Sequence, residues 1–203
     1  ILWQGGMESG NAAADLLCGK VTPCGHLTDT VADCYEAYPS ASCFGNPKAN
    51  EYREDIYVGY RWFETFHREQ VRYPFGYGLS YTSFTVTGTH TEPLGFRAEV
   101  TNTGKHPGKA VVMLFVEKPC GVLGNPTREL VAFGKTRLLS PGQSQSLSFS
   151  VTEYQLSSYD DSGITGHKSC YVLQQGAYRF YCGENVRDTQ FIGDYMIPEL
   201  RVL

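Results

Sequence analysis

The stretches Phe84-Thr-Val-Thr-Gly-Thr89 and Phe96-Arg-Ala-Glu-Val-Thr101 change character at every second residue, and Asn102-Thr-Gly104 closes them with a turn. Successive side chains of a strand point to opposite faces, so this pattern predicts two short strands. Six further runs repeat it: Ala110 to Glu117, Leu130 to Leu138, Ser146 to Val151, Cys170 to Leu173, Ala177 to Cys182 and Phe191 to Ile197. Ser140-Pro-Gly142 and Gln175-Gly176 stand between runs as turn chemistry requires. Short strands at this spacing predict an antiparallel sandwich, with Phe115, Phe133, Phe149 and Phe180 in its core.

Toward the N-terminus the pattern changes near residue 80. Ser9 to Leu17 is rich in helix formers, with Glu8, Ser9 or Asn11 placed to cap the helix and Gly19 to end it. Ile1 to Trp3 read as a strand entered midway, which predicts a chain cut from a longer one. Val21 to Asn50 carries glycines and prolines with little period and is expected to be extended loop lying over a neighbour. Ile56, Val58 and Tyr60 alternate as a packed strand would. In Phe75-Gly-Tyr-Gly78 the glycines permit a tight path while Phe75, Tyr77 and Tyr81 fill a joint between two units; the Lys-Ser/Thr of a phosphate loop is missing.

The chain has 203 residues, 41% hydrophobic and 13% aromatic, enough for a real core and too apolar for a disordered chain. A formal charge of −4 without a basic stripe argues against nucleic acid, and no apolar run is long enough to span a bilayer as a helix. The five histidines are scattered and the seven cysteines match no zinc or redox spacing, so neither a metal nor a cofactor is expected. Cysteines alternating with apolar residues in strands behave as small hydrophobes, which favours a reducing, cytoplasmic location, with secretion the alternative if the chain is cut from a longer one.

Gly5-Gly-Met-Glu-Ser-Gly-Asn-Ala-Ala-Ala-Asp-Leu-Leu-Cys-Gly-Lys-Val-Thr-Pro-Cys-Gly-His-Leu27 resembles a signature of glycoside hydrolase family 3, except that Met7 stands where the family usually has glutamine. Ile56-Tyr-Val-Gly-Tyr-Arg-Trp-Phe63 and Tyr73-Pro-Phe-Gly-Tyr-Gly-Leu-Ser-Tyr-Thr-Ser-Phe84 are similar to two further stretches of that family. Thr101-Asn-Thr-Gly104, Arg128 to Lys135, Leu139 to Ser144, Leu156 to Asp160 and Gly176 to Tyr178 resemble its fibronectin type III-like module. The resemblance implies a mainly β chain in two parts: residues 1–79, the terminal part of an α/β sandwich domain with its trailing loop, and residues 80–203, a fibronectin type III-like (immunoglobulin-like) β-sandwich.

It also implies a function. The expected whole is a β-glucosidase-like enzyme that hydrolyses terminal β-glycosidic bonds by a retaining mechanism, with two carboxyl groups about 5–5.5 Å apart. In such a family the nucleophile sits on a barrel and the acid/base glutamate upstream of Gly5, so no residue of this chain is expected to be catalytic. The barrel, in the same or another chain, is the expected partner. The candidates for substrate contact are Glu8, at the strand-to-helix edge where α/β sheets bind ligands, and Glu54, Tyr60 and Trp62, a carboxylate with aromatic faces suited to pyranose rings. Helix-terminal stabilisation for Glu8 and packing for Tyr60 are the competing roles. The alternative function is a non-catalytic β-sandwich module that binds polysaccharide or protein.

Overall fold

A computed structural model describes residues 5–91 and 93–203. The strand expected at Ile1 to Trp3 lies outside the described residues. In chain order the elements are α1 (Ser9–Leu17), β1 (Val31–Ala32), α2 (Tyr60–Phe66), β2 (Val71–Tyr73), β3 (Phe84–Thr91), β4 (Gly95–Asn102), β5 (Val111–Glu117), β6 (Glu129–Lys135), β7 (Ser144–Ser150), α3 (Glu153–Leu156), β8 (Ser158–Asp160), β9 (Cys170–Leu173), β10 (Gly176–Gly183), β11 (Thr189–Ile197) and β12 (Arg201–Val202). Each of the eight runs expected to be strands forms one, with boundaries moved by a few residues.

All the strand pairings are antiparallel. One sheet has the order β3-β4-β7 and a second β11-β10-β5-β6; a small sheet, β12-β9-β8, closes one end, and β1 pairs with β2. Alternation makes the core. Phe96, Ala98 and Val100 point inward from β4, Val112, Leu114 and Val116 from β5, and Tyr178, Phe180 and Cys182 from β10. Phe96 and Phe180 meet between the sheets with ring centroids 4.4 Å apart.

β5 breaks the alternation. Val112 to Val116 are buried on both faces, because Met113 and Phe115 point outward into a second cluster with Val186, Tyr60 and Phe75. A strand covered on both sides reads as a continuous apolar run, and Val111-Val-Met-Leu-Phe-Val116 is one.

Two polar residues fix the loops. Asn102 is fully buried: Thr82 donates to its Oδ1 at 2.7 Å, and its Nδ2 donates to the carbonyls of His106 and Leu139, each at 2.8 Å. Asp160, also buried, accepts from the amides of Gly163, Ile164 and Thr165 and the hydroxyls of Thr165 and Ser162. Burial works to raise its pKa; the hydrogen bonds from Thr165, Gly163 and Ser162 outweigh it and hold the carboxyl well below the usual range.

Three expectations are corrected. Ile56 to Tyr60 is not a strand. Gly59, with φ +62°, turns the chain into α2, where Phe63 and Glu64 are buried, while Ile56 and Val58 are exposed. Phe133 is 70% exposed rather than core, because on the edge strand β6 it pairs with Met113, on the face turned away from the inter-sheet core. Tyr81 does not fill the joint; it is exposed, and its hydroxyl donates to the Leu16 carbonyl at the end of α1. Helix α1 forms as expected and ends at Gly19 with φ +72°, yet none of its residues is buried and Glu8 makes no side-chain cap bond.

All seven cysteines are free. Cys182 is buried between the sheets, and burial pushes its thiol up to about 11. Thiolate is the reactive form, so iodoacetamide at pH 8 should label exposed Cys18, Cys34 and Cys120 within minutes and leave Cys182 unlabelled until the sandwich unfolds, as read by peptide mass spectrometry. Equal labelling rates at Cys182 and Cys18 would show that the sandwich opens readily.

Candidate functional site

The structure puts Tyr60 and Trp62 on α2 and brings neither Glu8 nor Glu54 into hydrogen-bond contact with them. Glu8 is exposed at the start of α1 and accepts from the Asn11 amide. Glu54 is half-buried in the turn before α2, where its carbonyl accepts from the Tyr57 amide at 2.8 Å. Trp62 packs against Phe66 and His67 with ring centroids 5.1 and 5.3 Å away, and its buried indole N–H has no acceptor among the described residues.

Tyr60 is engaged by protein on several sides. One face stacks on Phe75 at 4.5 Å, Phe115 approaches edge-on at 6.3 Å, and its hydroxyl accepts the Leu130 amide at 2.8 Å. Removing that oxygen leaves a strand amide without its acceptor. Tyr60→Phe should therefore lower stability by about 1–3 kcal/mol in urea unfolding. An unchanged midpoint would mean that water replaces the hydroxyl and that the bond contributes nothing.

Around Tyr60 the residues before β3 are bound to the sandwich by groups the sequence did not single out. Glu64 is nearly buried, its side chain 3% exposed; it pairs with Arg187 at 2.8 Å and with Arg68 at 3.2 Å, and Arg187 also donates to the Arg68 carbonyl. The Val186 amide donates to the Phe75 carbonyl, and the Tyr57 hydroxyl to the Gly124 carbonyl at 2.7 Å. Lys118 and Arg61 both pair with Glu129. Arg128 lies 3.3 Å over the Tyr181 ring, and burial lowers its pKa. The available signal was weak: a glutamate inside the aromatic run Tyr60-Arg-Trp-Phe-Glu-Thr-Phe66, and a charged turn, Glu184 to Asp188, between two strands.

Beside this joint is an open cleft of about 410 Å³. Cys24, His26, Tyr77, Lys109, Glu184 and Asp188 line it, and a second hollow of about 320 Å³ adjoins it across Phe84, Glu184 and Asp188. The hairpin tip is set by Asn185, whose Oδ1 accepts the amides of Arg187 and Asp188. His26 Nδ1 is bound to the Gly76 carbonyl. Burial raises the pKa of Glu184, and the nearby Asp188 adds to it. Its carboxyl group has no hydrogen bond or ion pair among the described residues. Nor do the described residues bring together three metal-ligating side chains.

The fold is thus an antiparallel β-sandwich to which a helical and loop segment is bound through Tyr57, Tyr60, Glu64 and Arg187. Comparison gives this chain its family. Residues 1–81 match the family described as the glycosyl hydrolase family 3 C-terminal domain, and residues 110–186 match the fibronectin type III-like domain. A β-glucosidase of Ruminococcus albus is 43% identical over 205 residues, covering 100% of this chain and 22% of its own length. β-Glucosidase A of Butyrivibrio fibrisolvens is 44% identical over 215 residues, covering 95% of the chain and 26% of its own. Among solved structures, a β-glucosidase from Paenibacillus barengoltzii superposes with a TM-score of 0.94 at 50% identity over 98% of this chain and 23% of its own. β-Glucosidase 3B of Thermotoga neapolitana, solved with α-D-glucose, gives 0.86 at 34% over 100% of this chain and 28% of its own. The chain belongs to glycoside hydrolase family 3, as part of its C-terminal portion, and spans about a quarter of the length of these relatives.

Proposed function

We propose that this chain is the scaffold portion of a β-glucosidase, and that catalysis resides in a barrel and an upstream α/β segment packed against it. The observation that carries the reading is end-to-end similarity to β-glucosidases about four times longer, together with the bare surface of the first part. Helix α1 buries none of its residues, and Met7, Leu17, Phe44 and Tyr52 are largely exposed. An apolar surface of this kind suits a neighbouring domain. Residues 1–79 would complete that α/β domain, and residues 80–203 would brace it. Of the four candidate contacts, Glu8 and Glu54 are the groups free to reach a pocket wall; Tyr60 and Trp62 act through packing.

The test is direct. The 203-residue chain should release no p-nitrophenol from aryl β-glucosides, and a protein joining it to the barrel with an aspartate nucleophile should turn them over. Turnover by the isolated chain, lost on Glu8→Gln or Glu54→Gln, would overturn the assignment. A reducing, cytoplasmic location fits the free thiols. Among the described residues no helix is long and apolar enough to cross a membrane.

One observation favours the alternative, a glycan-binding sandwich. Tyr154, Tyr159 and Tyr171 are exposed together, with ring centroids 4.8 and 5.0 Å apart. Retarded migration of the chain in gels containing soluble β-glucan, relieved by Tyr159→Ala, would support it; unchanged mobility counts against it.

A further inference from the structure

We propose that Arg68, Arg128 and Arg187 form a binding site for a doubly charged oxyanion, a phosphate or phosphomonoester group, at the joint between the helical segment and the sandwich. The first ground is convergence. Arg68 follows α2, Arg128 precedes β6, and Arg187 stands in the hairpin between β10 and β11. Arg68 and Arg187 both pair with Glu64, at 3.2 and 2.8 Å. Arg128 is tied to the segments that carry them. The Thr127 amide donates to the hydroxyl of Thr65, the residue after Glu64, at 3.1 Å, and Arg128 Nη1 donates to the hydroxyl of Thr189, two residues after Arg187, at 3.3 Å.

The second ground is a shortage of counter-charge. Glu64 is fully used, with Oε1 on Arg187 and Oε2 on Arg68. The carboxylates around it are engaged elsewhere: Glu117 accepts from the Tyr181 hydroxyl and pairs with Arg179, Glu129 pairs with Lys118 and Arg61, and Glu69 pairs with His67. Glu184 and Asp188 line the neighbouring cleft and form no ion pair with the three arginines. Arg128 itself has no ion pair among the described residues. Burial lowers its pKa in spite of the pull of Tyr181, Glu117 and Glu64, as expected of a cation without an anion in contact.

The third ground is preorganisation. The Tyr181 ring, 3.3 Å from Arg128 Cζ, takes one face of the guanidinium and leaves its edges free. Arg128 Nε and Nη2 have no acceptor among the described residues, and neither is sealed from water. The planar fork of a guanidinium matches the oxygens of a phosphate group, and a side chain already held in place loses little freedom when it binds one. Three guanidiniums against one carboxylate leave two positive charges, which a doubly charged anion cancels and a monocarboxylate only halves. The inference does not depend on the catalytic reading, because hydrolysis is not part of its test.

The experiment is a titration of the ¹⁵N-labelled chain with sodium phosphate at pH 7.5, followed through the arginine Nε–H resonances. Ionic strength is held constant with sodium chloride, so that general screening does not change. For a ligand this small the dissociation constant is expected on the order of 1 mM. Saturable shifts should be confined to the Nε–H groups of Arg68, Arg128 and Arg187 and to the amides of Thr65, Thr127 and Thr189. Phenyl phosphate carries the same group on an organic body: tighter binding than inorganic phosphate would point to a phosphomonoester, and equal or weaker binding to the free ion. Arg128→Gln should weaken phosphate binding about tenfold and Arg68→Gln about fivefold, each by removing a charged donor, with exposed Arg137→Gln unchanged. If Arg128→Gln disturbs the joint, Arg68→Gln carries the test, since its side chain is 61% exposed. Absence of saturation at constant ionic strength, saturation at other arginines, unchanged constants in both variants, or acetate binding as tightly as phosphate would each overturn the proposal.

Discussion

Replacing Glu64 with alanine should detach the helical segment from the sandwich without unfolding the sandwich itself. Glu64 lies at 3% side-chain exposure between Arg187 and Arg68, so its loss strands a guanidinium, Arg187, that is itself only 28% exposed. Breaking a buried pair by removing one partner costs about 3–5 kcal/mol. Arg68 is 61% exposed and recovers solvent, which puts the expected loss near the lower end, about 3 kcal/mol. In hydrogen exchange, amides of residues 60–70 and 184–188 should lose protection together, while those of β4, β5 and β10 keep it. Glu64→Gln, which can still accept one of the two arginine hydrogen bonds, should lose less. Uniform loss of protection across the whole chain would show that joint and sandwich unfold as one unit.

Gly76→Ala should be of similar size for a different reason. At φ +83° an L-residue is strained, and the added Cβ would lie 2.8 Å from Asn185 Cα and 2.9 Å from Met113 Sδ. The sulfur can swing away; the Asn185 backbone belongs to the hairpin tip and cannot move without breaking the Val186–Phe75 bond. Gly142 supplies the control, since its φ is +78° and nothing lies within 4 Å of a Cβ built there. Gly142→Ala should lose about 1–2 kcal/mol from backbone strain alone, and Gly76→Ala about 3 kcal/mol or more. Equal losses in urea unfolding would mean that the hairpin tip yields freely and that the contact carries no energy.

The sandwich was legible because its strands alternate over enough residues to show a period. β1, β2, β8 and β12 span two or three residues each and show none. Helix α2 was hidden by coincidence: Ile56, Val58 and Tyr60 alternate like a strand, and the positive φ of Gly59 that ends the alternation leaves no mark in composition. The aromatic joint could be anticipated from Phe75-Gly-Tyr-Gly78. Its polar half could not, because Glu64 and Arg187 are ordinary charged residues until the fold brings them together. The same holds for the cleft, whose walls come from four separate segments, around Cys24, Tyr77, Lys109 and Glu184. Glu8, Glu54, Tyr60 and Trp62 were reachable as residue types, but only the structure shows that Tyr60 is already engaged by Phe75, Phe115 and Leu130.

The ion pair that closes the joint joins residues 123 positions apart. On a ribosome adding about 5–20 residues per second, Glu64 is made roughly 6–25 seconds before Arg187. During that interval its carboxylate, the outer face of Tyr60 and the Phe75 carbonyl all await a hairpin that has not been synthesised. The earliest part of this chain to be made is therefore among the last to mature, and its quality control rests with the final hairpin.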